Sequence, residues 1–340
     1  MKSIKNNFSN DIIFVDGFWG SGKSLISPIL SAFKNVEIQK IKPEYEYIPL
    51  LEAMGKLEKA AAIEILNLFT DTNSYNSLIS REVNFRYKDF TSVFKKRYLT
   101  KYIRRLFIKY GDNIVNKINS NNIAMHFVTH LMFIGYPILK ETFGDRLKFI
   151  QIVRHPLYLI NHWNTYLKRW DNAREFTLSF TYKNIKIPWF ANEYKDEYIA
   201  LNEFDKVIWS LIKLYESLFN MLNIVSNESK SFKVICFESL VFNTTLHVKE
   251  LEIFLERETE SYIFKVLKEQ KLPRNRINDG IGYVEYGWQK DDEKLCEINI
   301  YNNILAYTRT KCTANLFQIF LKVLNEYETR WPFIKTKLNE

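Results

Sequence analysis

Residues 12–24 read Ile-Ile-Phe-Val-Asp-Gly-Phe-Trp-Gly-Ser-Gly-Lys-Ser, an apolar run that breaks into a glycine-rich turn and matches G-x-x-x-x-G-K-S in full. This pattern constrains the chain more than any other, because it asks for a strand, a tight turn and a helix in immediate succession. Residues without side-chain bulk let backbone N–H groups converge on an anion, to which Lys23 adds a point charge and the following helix its positive end. Three of the ten glycines, Gly17, Gly20 and Gly22, fall within six residues, directly before the helical pattern Leu25, Ile26, Ile29, Leu30, Phe33. Gly17, Trp19, Gly20, Ser21, Gly22, Lys23 and Ser24 are therefore the candidate phosphate cradle.

The 340 residues are 46% hydrophobic, enough for one large core with additions, and the expectation is a single domain over 1–340. A net charge of +9 favours anionic ligands without naming them. Cys236, Cys296 and Cys312 are odd in number and form no C-x-x-C pattern, so neither a disulfide framework nor a zinc site is expected, and a reducing cytoplasm fits best. The polar N-terminus leaves no room for a signal peptide's apolar region, and no apolar stretch approaches the roughly 20 residues that span a bilayer.

Short apolar strand candidates at 12–16, 36–41, 123–129, 147–153 and 232–237 alternate with helical patterns at 23–33, 48–69, 92–110, 137–143, 157–170, 202–225, 290–307 and 314–326. That alternation predicts an α/β fold with a doubly wound, mostly parallel sheet flanked by helices, as in P-loop nucleoside triphosphatases. The part from 245 onward reads as mainly helical. Residues 171–200 break the rhythm with Phe176, Phe180, Tyr182, Trp189, Phe190, Tyr194 and Tyr198, and are either an acceptor-binding lid or a packed insertion. Residues 94–109 are a strongly basic amphipathic stretch, either a solvated helix face or a dock for anionic lipid, acidic polysaccharide or nucleic acid.

Ligands of parallel α/β sheets lie beyond the carboxyl ends of the strands. A kinase or ATPase places a magnesium-holding Asp there, but here the ends carry Thr129-His130, Arg154-His155 and Glu238, and the only Asp closing an apolar strand is Asp16. A sulfuryl group carries a single negative charge during transfer, so fixed cations and backbone amides suffice without a metal. No metal site is expected.

Three segments resemble the sulfotransferase family. Residues 148–163, Lys-Phe-Ile-Gln-Ile-Val-Arg-His-Pro-Leu-Tyr-Leu-Ile-Asn-His-Trp, are similar to the family's strand–R-x-P–helix motif that grips the 3′-phosphate of the donor. The resemblance makes Arg154 the phosphate arginine and puts His162 where the family usually has a serine. Residues 127–131, Phe-Val-Thr-His-Leu, resemble the strand-end K-T-H-L of cytosolic sulfotransferases, whose histidine takes the acceptor's proton. His130 is accordingly a general-base candidate, since imidazole titrates near neutrality. The family lysine two positions earlier is Val128. Because many relatives use a glutamate, Glu44 and Glu46 compete for the same role. Residues 232–240 resemble the late strand–[YF]-E-x-L motif, with Glu238 read as structural. Arg274 and Arg276, followed by Gly280, Gly282, Tyr286, Gly287 and Trp288, resemble the basic segment that closes over the nucleotide. The resemblance implies a 3′-phosphoadenosine 5′-phosphosulfate donor, catalytic roles among His130, Lys23 and Glu44, and a small-molecule, glycan or lipid acceptor. No nucleic-acid partner is expected. The family's loop lysine aligns with Gly20, whereas Lys23 stands where nucleotide kinases carry theirs, so a P-loop kinase using ATP–Mg remains the alternative.

Overall fold

The computed structural model describes residues 8–95, 99–109, 111–169, 177–277 and 296–332. Its centre is strand β1 (Ile12–Gly17), every residue of which is buried. Strand β2 (Met125–Val128) pairs with one side of β1, β3 (Leu147–Val153) with the other, and β6 (Phe232–Cys236) lies outside β3, all of them parallel. A parallel sheet needs cover on both faces, which is why its strands read as continuous apolar runs and not as alternating ones.

The two faces sort by alternate residues of β1. Ile12 and Phe14 enter a core shared with α2 (Glu44–Ala53), α3 (Lys59–Leu78), α6 (Tyr136–Phe143), α7 (Ile160–Lys168), α9 (Glu203–Ile224) and α14 (Ala314–Arg330). Ile13 and Val15 enter a second core with α1 (Lys23–Leu30), α10 (Phe237–Phe242), α11 (Thr244–Leu255), α12 (Ile263–Glu269) and α13 (Glu297–Lys311). On the first face, Phe127, Phe14, Phe149 and Phe232 stand in register on four adjacent strands, with ring centroids 5.6, 6.4 and 5.2 Å apart. Helices α4 (Leu99–Arg105), α5 (Asp112–Ser120) and α8 (Lys195–Ala200) lie outside these cores.

The structure departs from the sequence expectations at identifiable places. Residues 36–41 run beside β2 as an extended segment joined by two parallel bridges, Val36 to Ala124 and Lys40 to Phe127, and not as a full strand. The ladder is interrupted by a one-residue slip, the two bridges being four residues apart on this segment and three on the β2 side, and the Ile38 N–H goes to the Tyr102 hydroxyl instead. The helix expected over 48–69 is two helices, parted near Gly55, whose φ of +65° ends a helical run without steric penalty. Over 92–110 only a 3₁₀ turn, Val93–Lys95, and α4 are helical among the described residues. Residues 177–200 form a hairpin of β4 (Ser179–Tyr182) and β5 (Ile185–Pro188), turned at Lys183 and Asn184 with positive φ, then a 3₁₀ segment and α8. Ile187, Ala191 and Tyr198 pack there against Trp209 of α9, and Trp209 Nε1 donates to Glu197 at 2.7 Å. Phe176, Gly280, Gly282, Tyr286, Gly287 and Trp288 lie outside the described residues.

Candidate functional site

The glycine-rich turn joins β1 to α1 at the carboxyl edge of the sheet. Gly20 and Gly22 take φ values of +84° and +103°, which L residues with a Cβ avoid. A Cβ at Gly22 would stand 2.3 Å from the Phe237 ring, and one at Gly20 would touch His162 at 3.1 Å. Lys23 opens α1 and folds back, its Nζ donating to the carbonyls of Gly17 at 2.8 Å and Phe18 at 2.6 Å. Burial pushes its pKa down to about 8, opposed by the carboxylates of Asp16 and Glu46. Ser21 is buried, and its Oγ has no hydrogen-bond partner among the described residues, while Ser24 is exposed on the second residue of α1. Trp19 stacks on Tyr166, with centroids 4.2 Å apart, and its carbonyl accepts from Trp163 Nε1 at 3.1 Å.

Asp16, the second-last residue of β1, holds the next strand end in place. Its carboxylate accepts from Thr129 Oγ1 at 2.9 Å and from the amides of Met132 at 2.9 Å and Phe133 at 3.2 Å. Burial raises its pKa to about 6 against the pull of Lys23 and these donors. Leu131 is held at φ +57°, a region leucine rarely adopts, and this turn brings both amides onto Asp16. Immediately before it stands His130.

The Oε1 atom of Glu46 accepts from the His130 amide and meets His130 Nδ1, both at 3.0 Å. An ionised carboxylate only accepts, so Nδ1 carries the hydrogen and Nε2 keeps its lone pair. The His130 ring lies against Trp19, centroids 5.8 Å apart. Burial, and then the charge of Lys23, lower its pKa below the ordinary value despite Glu46, and so favour the neutral imidazole. Glu44, two residues earlier on α2, is turned away by roughly 200° of helical rotation. Its buried Oε2 has no hydrogen-bond partner among the described residues.

Arg154 follows β3 directly and is buried, with Nη1 donating to the Gly20 carbonyl at 2.9 Å and its guanidinium 4.3 Å above the Phe237 ring. Burial brings its pKa down to about 10, with Glu238 opposing and Arg274 adding to the fall. The same ring has Arg274 at 6.0 Å, and the Arg274 guanidinium also donates to the carbonyls of Gln270, Lys271 and Ile277. Arg276 is half-buried two residues on. His162 packs against Gly20, and burial, together with Lys23, Arg154 and His130, lowers its pKa to about 3. Glu238 is wholly inside, accepting from the His155 amide at 2.8 Å and the Tyr327 hydroxyl at 2.8 Å. His155 Nε2 reaches Glu328 at 3.2 Å, so α14 is tied to His155 both through Glu328 and through Glu238.

The structure thus gathers the turn, Lys23, His130, Arg154, His162 and Arg274 at one edge, and leaves Glu44 apart from His130. Three residues at this edge escaped the sequence reading as partners. Glu46 faces His130 as its hydrogen-bond acceptor, Phe237 carries Arg154, and Tyr215 of α9 donates its hydroxyl to the Arg154 carbonyl. Phe237 has a signal in its place in the Phe-Glu-x-Leu motif, and Glu46 has one only as a rival base. Among the described residues no group of three or more His, Cys, Asp or Glu is arranged to hold a metal ion, and no helix is long and apolar enough to cross a membrane.

No family model matches the sequence, and neither does any curated protein. Solved structures do. The sulfotransferase domain from the curacin biosynthetic pathway is 14% identical, over 83% of this chain and 84% of that one, with a TM-score of 0.40. The sulfotransferase domain from the Synechococcus PCC 7002 olefin synthase is 11% identical, over 96% and 97%, at 0.45. Mouse sulfotransferase SULT7A1 complexed with PAP is 12% identical, over 96% and 91%, at 0.35.

Proposed function

We propose that the chain is a sulfotransferase, moving a sulfuryl group from 3′-phosphoadenosine 5′-phosphosulfate to a hydroxyl or amine of a small-molecule, glycan or lipid acceptor. The observation that carries the reading is the His130–Glu46 pair: a neutral imidazole, oriented by a carboxylate, beside a glycine-rich anion turn. Carboxylates that a magnesium site would want are otherwise engaged. Asp16 accepts from Thr129 and two amides, and Glu238 from His155 and Tyr327.

In this reading the backbone of residues 17–24 and the unused Ser21 hydroxyl bind the 5′-phosphosulfate. Arg154, with His162, Arg274 and Arg276 around it, takes the 3′-phosphate. Lys23 exchanges its two carbonyl acceptors for the bridging oxygen, where charge accumulates as the S–O bond breaks, so its contribution is concentrated in the transition state. His130 Nε2 accepts the acceptor's proton while Glu46 stabilises the imidazolium that forms. Trp19 and Tyr166 supply a flat apolar wall on the acceptor side. We assign residues 1–340 to one cytoplasmic domain, with the hairpin and α8 over the acceptor side. Phe190 follows that hairpin and meets Trp163, which itself touches Trp19, in support of that placement.

Lys23 at the end of the turn, with Ser24 exposed after it, favours a second reading as an ATP–Mg kinase. Titration calorimetry separates the two. Adenosine 3′,5′-bisphosphate is expected to bind without magnesium, and Arg154→Ala to weaken it by about 100-fold, as loss of a buried charge-assisted contact does. Tight binding of ATP–Mg with no binding of the bisphosphate would establish the kinase.

A further inference from the structure

The basic stretch noted in the sequence takes no part in the site. Residues 81–109 hold ten Lys and Arg against two Asp and Glu, a net of +8 in a chain whose total is +9. Two segments of this stretch are built on one small cluster, in which Ile38, Val93 and Tyr102 are buried and Val83 and Leu99 pack on them. Outward from that nucleus the apolar residues face solvent. Of the sixteen large hydrophobic residues exposed among the described residues, six belong to this stretch, including Tyr87 at 72%, Leu106 at 50% and Phe107 at 83% exposure. Phe85 and Tyr87 both meet Phe94, with ring centroids 6.0 Å apart, so these exposed rings form a group. Elsewhere no described element carries more than two, such as Leu246 and Ile253 on α11 or Ile298 and Tyr307 on α13, and scattered exposed residues are ordinary.

Exposed cations and exposed apolar residues stand side by side here, and only one cation among the described residues of this stretch is fully buried. Arg105 points inward and pairs with buried Glu37 through two 2.8 Å hydrogen bonds, with Tyr102 adding a third at 2.9 Å. Arg86, Arg104 and Lys109 are exposed beside Tyr87, Leu106 and Phe107. A solvated helix face has no use for protruding phenylalanine and leucine. Nucleic acid and acidic polysaccharide would use the cations, and bases would stack on the rings, but neither rewards Ile103 or Leu106. A bilayer interface rewards both features: apolar side chains enter the acyl boundary while basic ones meet anionic head groups.

We propose that residues 81–94 and 99–109 form a docking surface for anionic lipid bilayers, with Tyr87, Leu106 and Phe107 inserting and Arg86 and Arg104 reading the charge. The protein is then peripheral, held by one face, and this holds whichever donor the site uses.

Co-sedimentation with vesicles tests it. Phosphatidylcholine vesicles containing 30% phosphatidylserine should pellet the protein, pure phosphatidylcholine vesicles should not, and 0.5 M NaCl should release it. Arg86→Glu with Arg104→Glu should weaken partitioning by about 25-fold at least, and Phe107→Ser by about tenfold, both without change in melting temperature, since all three positions are exposed. Unchanged partitioning in both variants would overturn the proposal, as would equal binding to the two vesicle types. Retention on heparin or an RNA oligonucleotide without vesicle binding would overturn it in favour of a polyanion, and pelleting without vesicles in favour of self-association.

Discussion

Gly22→Ala offers the sharpest test of the turn as described. The new Cβ would meet Phe237 Cδ2 at 2.3 Å and Cε2 at 2.5 Å, so the ring must retreat by about 1 Å to reach ordinary contact. A φ of +103° adds backbone strain of about 1–2 kcal/mol for any residue with a Cβ, and overpacking a filled site adds about 1–3 kcal/mol. The sum is about 2–5 kcal/mol, or roughly 3–7 °C in melting temperature for a protein of this size. Gly55→Ala is the matched control, because Gly55 has φ +65° but nothing within 4 Å of its Cβ position. It should cost only the backbone strain, about 1 kcal/mol. The difference between the two variants isolates the collision with Phe237. Because that ring carries the Arg154 guanidinium 4.3 Å above it, Gly22→Ala should also weaken adenosine 3′,5′-bisphosphate by about tenfold, the scale of a desolvated cation–π contact, while Gly55→Ala leaves it alone. Thermal melts and calorimetry on the two variants decide the matter. Equal losses of stability with equal affinities would refute the account of Gly22, Phe237 and Arg154 as one packed unit.

Two other perturbations follow from the geometry. With the His130 pKa lowered, kcat/KM should be flat at pH 7 and fall on the acid side below the ordinary histidine range; Glu46→Gln removes the group that favours the imidazolium and should move this limb to still lower pH, whereas His130→Ala should abolish it with a loss of about 10²–10⁴. A limb that moves upward in Glu46→Gln would sink the assignment. Away from the site, Arg105→Met strands a buried carboxylate and should destabilise by about 3–5 kcal/mol in urea titrations, with much of the loss restored by adding Glu37→Leu. In the parent protein, burial alone would raise the Glu37 pKa, but Arg105, Lys101 and Tyr102 hold it at about 2. A depressed carboxyl stabilises above its unfolded pKa, so about 3 kcal/mol should be present near neutrality and drain away between about pH 5 and pH 2. Urea midpoints that change equally over that range in the parent and in Arg105→Met/Glu37→Leu would contradict it.

What could be read from the chain was local. Strand β3 was predicted residue for residue, because a fully buried parallel strand is an uninterrupted apolar run, here ended by Arg154. The turn was legible because only glycine suits the φ values at 20 and 22. The break between α2 and α3 was hard to see, since residues 48–69 keep a helical apolar spacing through Gly55. The incomplete strand at 36–41 comes from a one-residue slip against β2, with the Ile38 N–H given to the Tyr102 hydroxyl 64 residues away. Glu46 was read as a rival to His130, and the structure makes it His130's partner; nothing in the spacing of two residues 84 apart encodes a shared hydrogen bond. Tyr215 on the Arg154 carbonyl belongs to the same kind, a contact set by how α9 docks, not by any motif.

The tie between α14 and the turn after β3 has a consequence for how the protein is made. The His155 amide finds its acceptor 83 residues downstream, and its ring finds Glu328 173 residues downstream. At a synthesis rate of about 5–20 residues per second, the turn bearing Arg154 waits roughly 10–35 seconds for the helix that braces it. At the start of that interval a nascent chain has three of the four sheet strands and the glycine turn, whose Gly20 carbonyl accepts from Arg154, but not yet Tyr215, Phe237 or α14 around the arginine. Nucleotide affinity should therefore be among the last properties a ribosome-bound chain acquires, later than its sheet.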